Sequence, residues 1–235
     1  MNDYKYHFCL ATFRDLEEQL RHCLEYIPFI RANENVVSPK FVPIIFEACS
    51  LVDSVFTEMS GSGSERYNIR KHCENYESRL QFEDRLSLCL ISPLQVLQPF
   101  QGWTTTSPLW WQAYNSLKHD RLNNYPVATN RNAIMSMCAL HQVMASFRDF
   151  IGGFLQLGWV DQSDEDVATD IGTAPYVGHF PSVIVQSQLF ATPSPTMDNF
   201  IIFNGSDREN FDLDWQTSGL TQRVRDLMSA HLDWR

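Results

Sequence analysis

Over residues 3–30, Phe13, Leu16, Leu20, Cys23 and Ile27 recur at steps of three and four, with Arg14, Glu17, Glu18 and Arg21 between them. That spacing predicts an amphipathic helix with one apolar face. Pro28 opposes its continuation, and residues 33–37 read as a connection. Ser38-Pro39 is a cap-then-proline start for a second helix, whose stripe of Phe41, Ile44, Ile45, Ala48, Leu51, Val52, Val55 and Met59 is broad enough for the core. Pro43 lies in its first turn, where disruption is least. Glu47, Ser50 and Asp53 add a polar strip. It is either a solvated face or a surface turned toward the helix expected over 107–121, where it would orient that helix's histidine or basic residues.

Gly61-Ser62-Gly63-Ser64 breaks the pattern, and a third, more exposed helix is expected to about Leu80. Residues 85–91 alternate briefly, as a short strand does; Pro93 and Pro99 then impose an extended path toward Trp103. A helix is predicted over 107–121, with Ser107 as cap and Pro108 in the first helical position. On it Trp111, Asn115, Lys118 and Leu122 share a face, and Asn115 and His119 lie one turn apart. A turn at 123–126 precedes a long helix over about 127–155, striped by Ala133, Met137, Leu140, Met144, Phe147 and Ile151 and broadened by Cys138 and Ala145. Gly152, Gly153 and Gly158 weaken its end.

Beyond it the pattern changes. Residues 161–170 form an acidic polar run expected to be a loop; 182–190, 200–203 and 211–215 read as strands, and Asn204-Gly205 as a turn. Leu220, Val224, Leu227, Met228 and His231 suggest a short terminal helix. The expected architecture is mainly α: a helical bundle over 1–158, with a small α/β, β-containing C-terminal appendage over 159–235 docked on it. Neither an internal repeat nor a low-complexity tract is evident.

With 235 residues, 44% of them hydrophobic, the chain can bury a substantial core. A formal charge of −10 argues against a surface devoted to coating nucleic acid, but leaves room for a small basic pocket. The six cysteines are scattered, with neither a C-x-x-C pair nor zinc-site spacing, so reduced thiols and no metal or other cofactor are expected. His72, His141 and His179 stand apart and receive no metal role. The N-terminal residues lack the design of a signal peptide, and no apolar run is long enough to cross a bilayer. The expectation is a soluble, cytoplasmic protein that does not engage the membrane.

The run Trp111-Gln112-Ala113-Tyr114-Asn115-Ser116-Leu117-Lys118-His119-Asp120-Arg121, with the helix that follows it, resembles uncharacterised bacterial helical proteins related to the HEPN superfamily. Tyr26-Ile27-Pro28, the run from Asn35 to Phe41, and the helix bearing Glu47 and Asp53 fit the same group, so the resemblance covers most of residues 1–155. It implies a compact helical bundle that dimerises, and many members are metal-independent endoribonucleases of toxin–antitoxin, phage-defence and CRISPR systems. Their motif is an Arg, often followed by a polar residue, with a His four to six residues later. His119 takes the His position and Asn115 can match the polar one. The positions that would carry the Arg hold Gln112, Ala113 or Tyr114.

In the family's ribonucleases, His and Arg assist attack of a ribose 2′-hydroxyl on the adjacent phosphate, with cationic donors stabilising the developing charge. By that resemblance the catalytic candidates are His119, Lys118, Arg121 and Asn115, with Lys118 or Arg121 in place of the motif arginine. Tyr114, Trp111, Glu47 and Asp53 are the binding or orienting candidates. Each also has a bland reading. His119 can lock a helix to its neighbours, Lys118 and Arg121 can complement a helix C-terminus, and Trp103, Trp110 and Trp111 can be core rather than base-stacking platforms. Two functions follow. One is a HEPN-like RNA endonuclease acting as a toxin or defence effector. The other is a non-catalytic dimeric module that binds RNA, a nucleotide, an antitoxin or another protein partner.

Overall fold

The computed structural model describes residues 3–61, 68–159 and 183–194. Helix α1 (Asp3–Tyr26) buries Phe13, Leu16 and Leu20 along its predicted stripe and ends just before Pro28. Helix α2 (Phe41–Met59) buries the second stripe as far as Val55, and Met59 in part, with Pro43 in its first turn as expected. Its start uses Ser38 differently from a simple side-chain cap: the Ser38 carbonyl accepts from Phe41 N at 3.0 Å, while its hydroxyl accepts from Lys40 N at 3.2 Å. Helix α3 (Ile69–Leu80) is capped by Asn68, whose side chain accepts from Lys71 N at 2.9 Å.

Strands β1 (Ser87–Cys89) and β2 (Gln95–Leu97) follow, and then helices α4 (Leu109–His119), α5 (Arg121–Asn124), α6 (Asn130–Ala145) and α7 (Ile151–Leu157). Strands β3 (Val183–Gln186) and β4 (Phe190–Ser194) complete an antiparallel sheet of order β2-β1-β4-β3. The described chain is thus mainly helical, with one small sheet. Helix α6 is its centre. It is buried almost all round and packs against α1, α2, α4, β1 and β4, as an interior helix without a solvated face must. Phe56 gathers the rings of Tyr76, Phe82, Phe100, Trp103 and Phe147 into an aromatic cluster on one flank.

Three predicted elements are divided by local hydrogen bonding. The helix predicted over 107–121 occupies only Leu109–His119. Pro108 is its extended entry residue, and the Pro108 carbonyl accepts from Trp111 N and Gln112 N, both at 3.0 Å. Asp120 leaves helical geometry at φ −152°, and its carboxylate accepts from Asn123 N at 3.1 Å to cap α5. Leu122 therefore leaves the face it was expected to share with Trp111 and is 88% exposed.

The helix predicted over 127–155 becomes α6, capped by Thr129, and the separate α7. At the break, the Ser146 hydroxyl donates to the Gln142 carbonyl at 2.6 Å and accepts from the buried Arg85 guanidinium. Gly158, at φ 66°, closes α7 in the left-handed conformation that suits glycine.

The strand predicted over 182–190 is instead a hairpin, β3–β4, joined to β1 through pairing of Leu88 with Ala191 and Cys89 with Phe190. Glu17, expected on the polar face of α1, is buried and holds the hairpin turn: it accepts from Ser187 Oγ at 2.5 Å and Leu189 N at 2.8 Å. A polar seam joins the sheet to α6. Ser87 and Thr192 hydroxyls meet at 2.7 Å, Gln142 Nε2 donates to Ser87 Oγ at 2.9 Å, and His141 Nδ1 lies 2.8 Å from Thr192 Oγ1. The expected loop at 161–170, the strands at 200–203 and 211–215, the turn at Asn204-Gly205, the terminal helix and His179 lie outside the described residues.

Candidate functional site: the end of α4 and the start of α5

The inward face of α4 is aromatic. Trp110, Trp111 and Tyr114 are buried, with the Trp111 and Tyr114 ring centroids 5.3 Å apart. Trp110 Nε1 donates to the Pro99 carbonyl at 2.6 Å, and Trp103 Nε1 to Glu77 Oε2 at 2.6 Å. Burial of all three tryptophans makes them part of the core, where large aromatic surface stabilises most. A base has no open indole face to stack on here.

Outward, the helix ends in cations. Lys118 Nζ stands 5.5 Å from the centre of the Tyr114 ring, and Arg121 Cζ 5.2 Å from that of Phe46 on α2. Phe46 and Tyr114 meet edge to face at 5.3 Å, so two touching rings carry two exposed cations, each within cation–π range. Lys118 and His119 also lie in the last turn of α4, where the helix dipole favours positive charge. Phe46 is the member that the sequence pattern did not single out. Its only signal was an aromatic residue just off the buried stripe, next to Glu47.

His119 is the last residue of α4 and is exposed. Among the described residues no hydrogen bond joins Asn115, Lys118, His119 or Arg121 to another side chain. Asn115 is half-buried one turn before His119. The acidic strip of α2 reaches Tyr114 instead: burial raises the phenol's pKa, and the charges of Asp53 and Glu47 add to the shift. Tyr114 therefore remains a neutral phenol, a ring on which a cation rests without competing charge. Asp53 itself accepts from His72 Nε2 at 2.8 Å, while Glu47 is exposed. Asp120 is held as a carboxylate, its pKa lowered by hydrogen bonds from the Asn123 side chain and backbone.

The arrangement presents two cationic donors and an imidazole at one corner of the bundle. It brings Lys118, Arg121, Tyr114 and Trp111 into one contact group through Phe46, but among the described residues no carboxylate is hydrogen-bonded to His119 to fix its tautomer. Among the described residues no three His, Cys, Asp or Glu side chains converge to hold a metal ion, and no helix is long and apolar enough to cross a membrane. Comparison of the chain with protein-family models, curated proteins and solved structures finds no match.

Proposed function

We propose that this chain is a HEPN-like module whose α4–α5 corner binds RNA through its phosphates, with recognition rather than cleavage as its task. The observation that carries the reading is the pair of exposed cations, Lys118 and Arg121, seated on the Tyr114 and Phe46 rings. Seating leaves both side chains exposed. It restricts two long side chains that would otherwise lose rotamer entropy on meeting a phosphate. Arg121 offers a planar fork for two phosphate oxygens, Lys118 a point charge, and His119 a ring donor beside them.

Two features favour binding over catalysis. The positions that would supply a motif arginine hold Gln112, Ala113 or Tyr114. The Asp53 carboxylate, one of the two α2 groups that could orient a catalytic imidazole, is bonded to His72. The resemblance adds a homodimer, in which two copies of the corner would line one groove, and an antitoxin or other protein as a partner that occupies it.

The test is fluorescence anisotropy of labelled single-stranded RNA with the full chain in EDTA, followed by electrophoresis of the same samples. Saturable, salt-sensitive binding that leaves the RNA intact and weakens in Lys118→Ala and Arg121→Ala is expected. EDTA-resistant cleavage lost in His119→Ala would replace this reading with the nuclease one. Absence of binding at low salt would end both.

A further inference from the structure

A cleft of about 400 Å³ opens between the C-terminal half of α1 and the first turn of α2. Its walls are Cys23, Ile27, Pro43 and the ring of Tyr26, which is 76% exposed at the rim; Gln19 and Lys40 add polar groups. An apolar concavity of this size with few polar groups is the usual form of a small-ligand site. None of these residues belongs to the α4–α5 corner.

The charges around the cleft are unevenly satisfied. On the α1 side, Glu18 and Glu25 are both paired with Arg21, at 2.6 and 3.0 Å, and Glu25 also holds His22 Nδ1 at 3.2 Å. Lys40, by contrast, has no carboxylate partner among the described residues. Its ammonium is close enough to the cleft wall to oppose the rise that burial imposes on the Cys23 thiol's pKa. An apolar pocket with one unpaired cation suits a monoanion; a phosphate dianion or a polyphosphate calls for further cations. The exposed Tyr26 ring, braced edge-on by His22 at 5.5 Å, offers its surface to a flat partner.

We propose that this cleft binds a small aromatic carboxylic acid, with its ring against Tyr26, Ile27 and Pro43 and its carboxylate on Lys40. The site carries its own reporter. Of the six cysteines, Cys23 alone is not buried, so a maleimide should modify it first.

The experiment follows the rate of Cys23 modification in the full chain at mildly alkaline pH, located by peptide mass spectrometry. Three probes of one shape are compared: indole-3-acetate, neutral 3-methylindole and cationic tryptamine. Indole-3-acetate is expected to slow modification saturably and at a lower concentration than the other two. Lys40→Gln, an exposed substitution, should raise its half-protecting concentration about three- to tenfold while leaving 3-methylindole unchanged. Failure of indole-3-acetate to protect at millimolar concentration, equal protection by all three probes, or indifference to Lys40→Gln would each overturn the proposal.

Discussion

Asp53 on α2 accepts a hydrogen bond from His72 Nε2 on α3 at 2.8 Å, and the imidazole it holds is completely buried. A carboxylate can only accept, so the proton lies on Nε2. The pair joins two helices and leaves Asp53 unavailable to orient His119. Asp53→Ala is expected to destabilise the fold by roughly 1–3 kcal/mol, the usual cost of stranding a buried donor, as read from the urea midpoint. RNA anisotropy at the α4–α5 corner should be unchanged. Lost binding with unaltered stability would instead give Asp53 a role in the site.

Lys118 and Arg121 are expected to act through charge, each neutralising about one phosphate. Lys118→Ala and Arg121→Ala should each reduce the slope of log affinity against log salt by about one. Arg121→Lys keeps the charge but loses the guanidinium's contact with Phe46 and the two-oxygen fork, so it should keep the slope while weakening affinity. Anisotropy across a salt series separates the two effects.

Glu17 couples the hairpin to pH. Burial raises its carboxyl pKa, opposed by hydrogen bonds from Ser187 and from the Leu189 and Gln188 backbone. The folded state therefore binds this proton more tightly than the unfolded chain. The stability contributed is complete below the ordinary carboxylate range and is lost as pH rises through the raised folded value. Glu17→Gln keeps an acceptor that cannot ionise and should remove this decline from urea unfolding measured across pH. Glu17→Ala should cost roughly 1–3 kcal/mol.

His141 acts with the opposite sign. Burial lowers its pKa to about 3, so the unfolded chain takes up a proton in the pH range where the folded one does not. Its contribution is complete above the ordinary histidine value and is lost as pH falls toward about 3, with a slope of at most about 1.4 kcal/mol per pH unit. His141→Gln should flatten the acid limb of the stability profile. Between the ordinary carboxylate and histidine values the Glu17 and His141 effects partly cancel, so the single variants should show steeper opposing limbs than the parent.

Much of the helical frame is legible from periodicity. Most of the stripe positions of α1, α2 and α6 are buried where three- and four-residue spacing puts them, Cys23 and Met59 only in part, because one face of a helix must leave water whatever it packs against. The α4 run likewise announced its mixture of aromatic and cationic residues. The places where helices stop are less legible, since they depend on which hydrogen bonds polar side chains make, some local and some to partners remote in sequence. Ser146 ends α6 while bonded to Arg85, and Asp120 has the composition of a helix residue until its carboxylate turns to cap α5. Glu17 looks like any other acid on a solvated face until a turn at Ser187 arrives to be held.

The α4–α5 corner shows the same division. Sequence alone grouped Asn115, Lys118 and His119 beside Trp111, because residues three and four apart share a helix face. Only the tertiary structure decided that Phe46 would seat Arg121, that His72 would take Asp53, and that the tryptophans would be core. Those outcomes depend on which surfaces of separate helices lose water together, a choice made by packing across the whole molecule rather than by any local spacing.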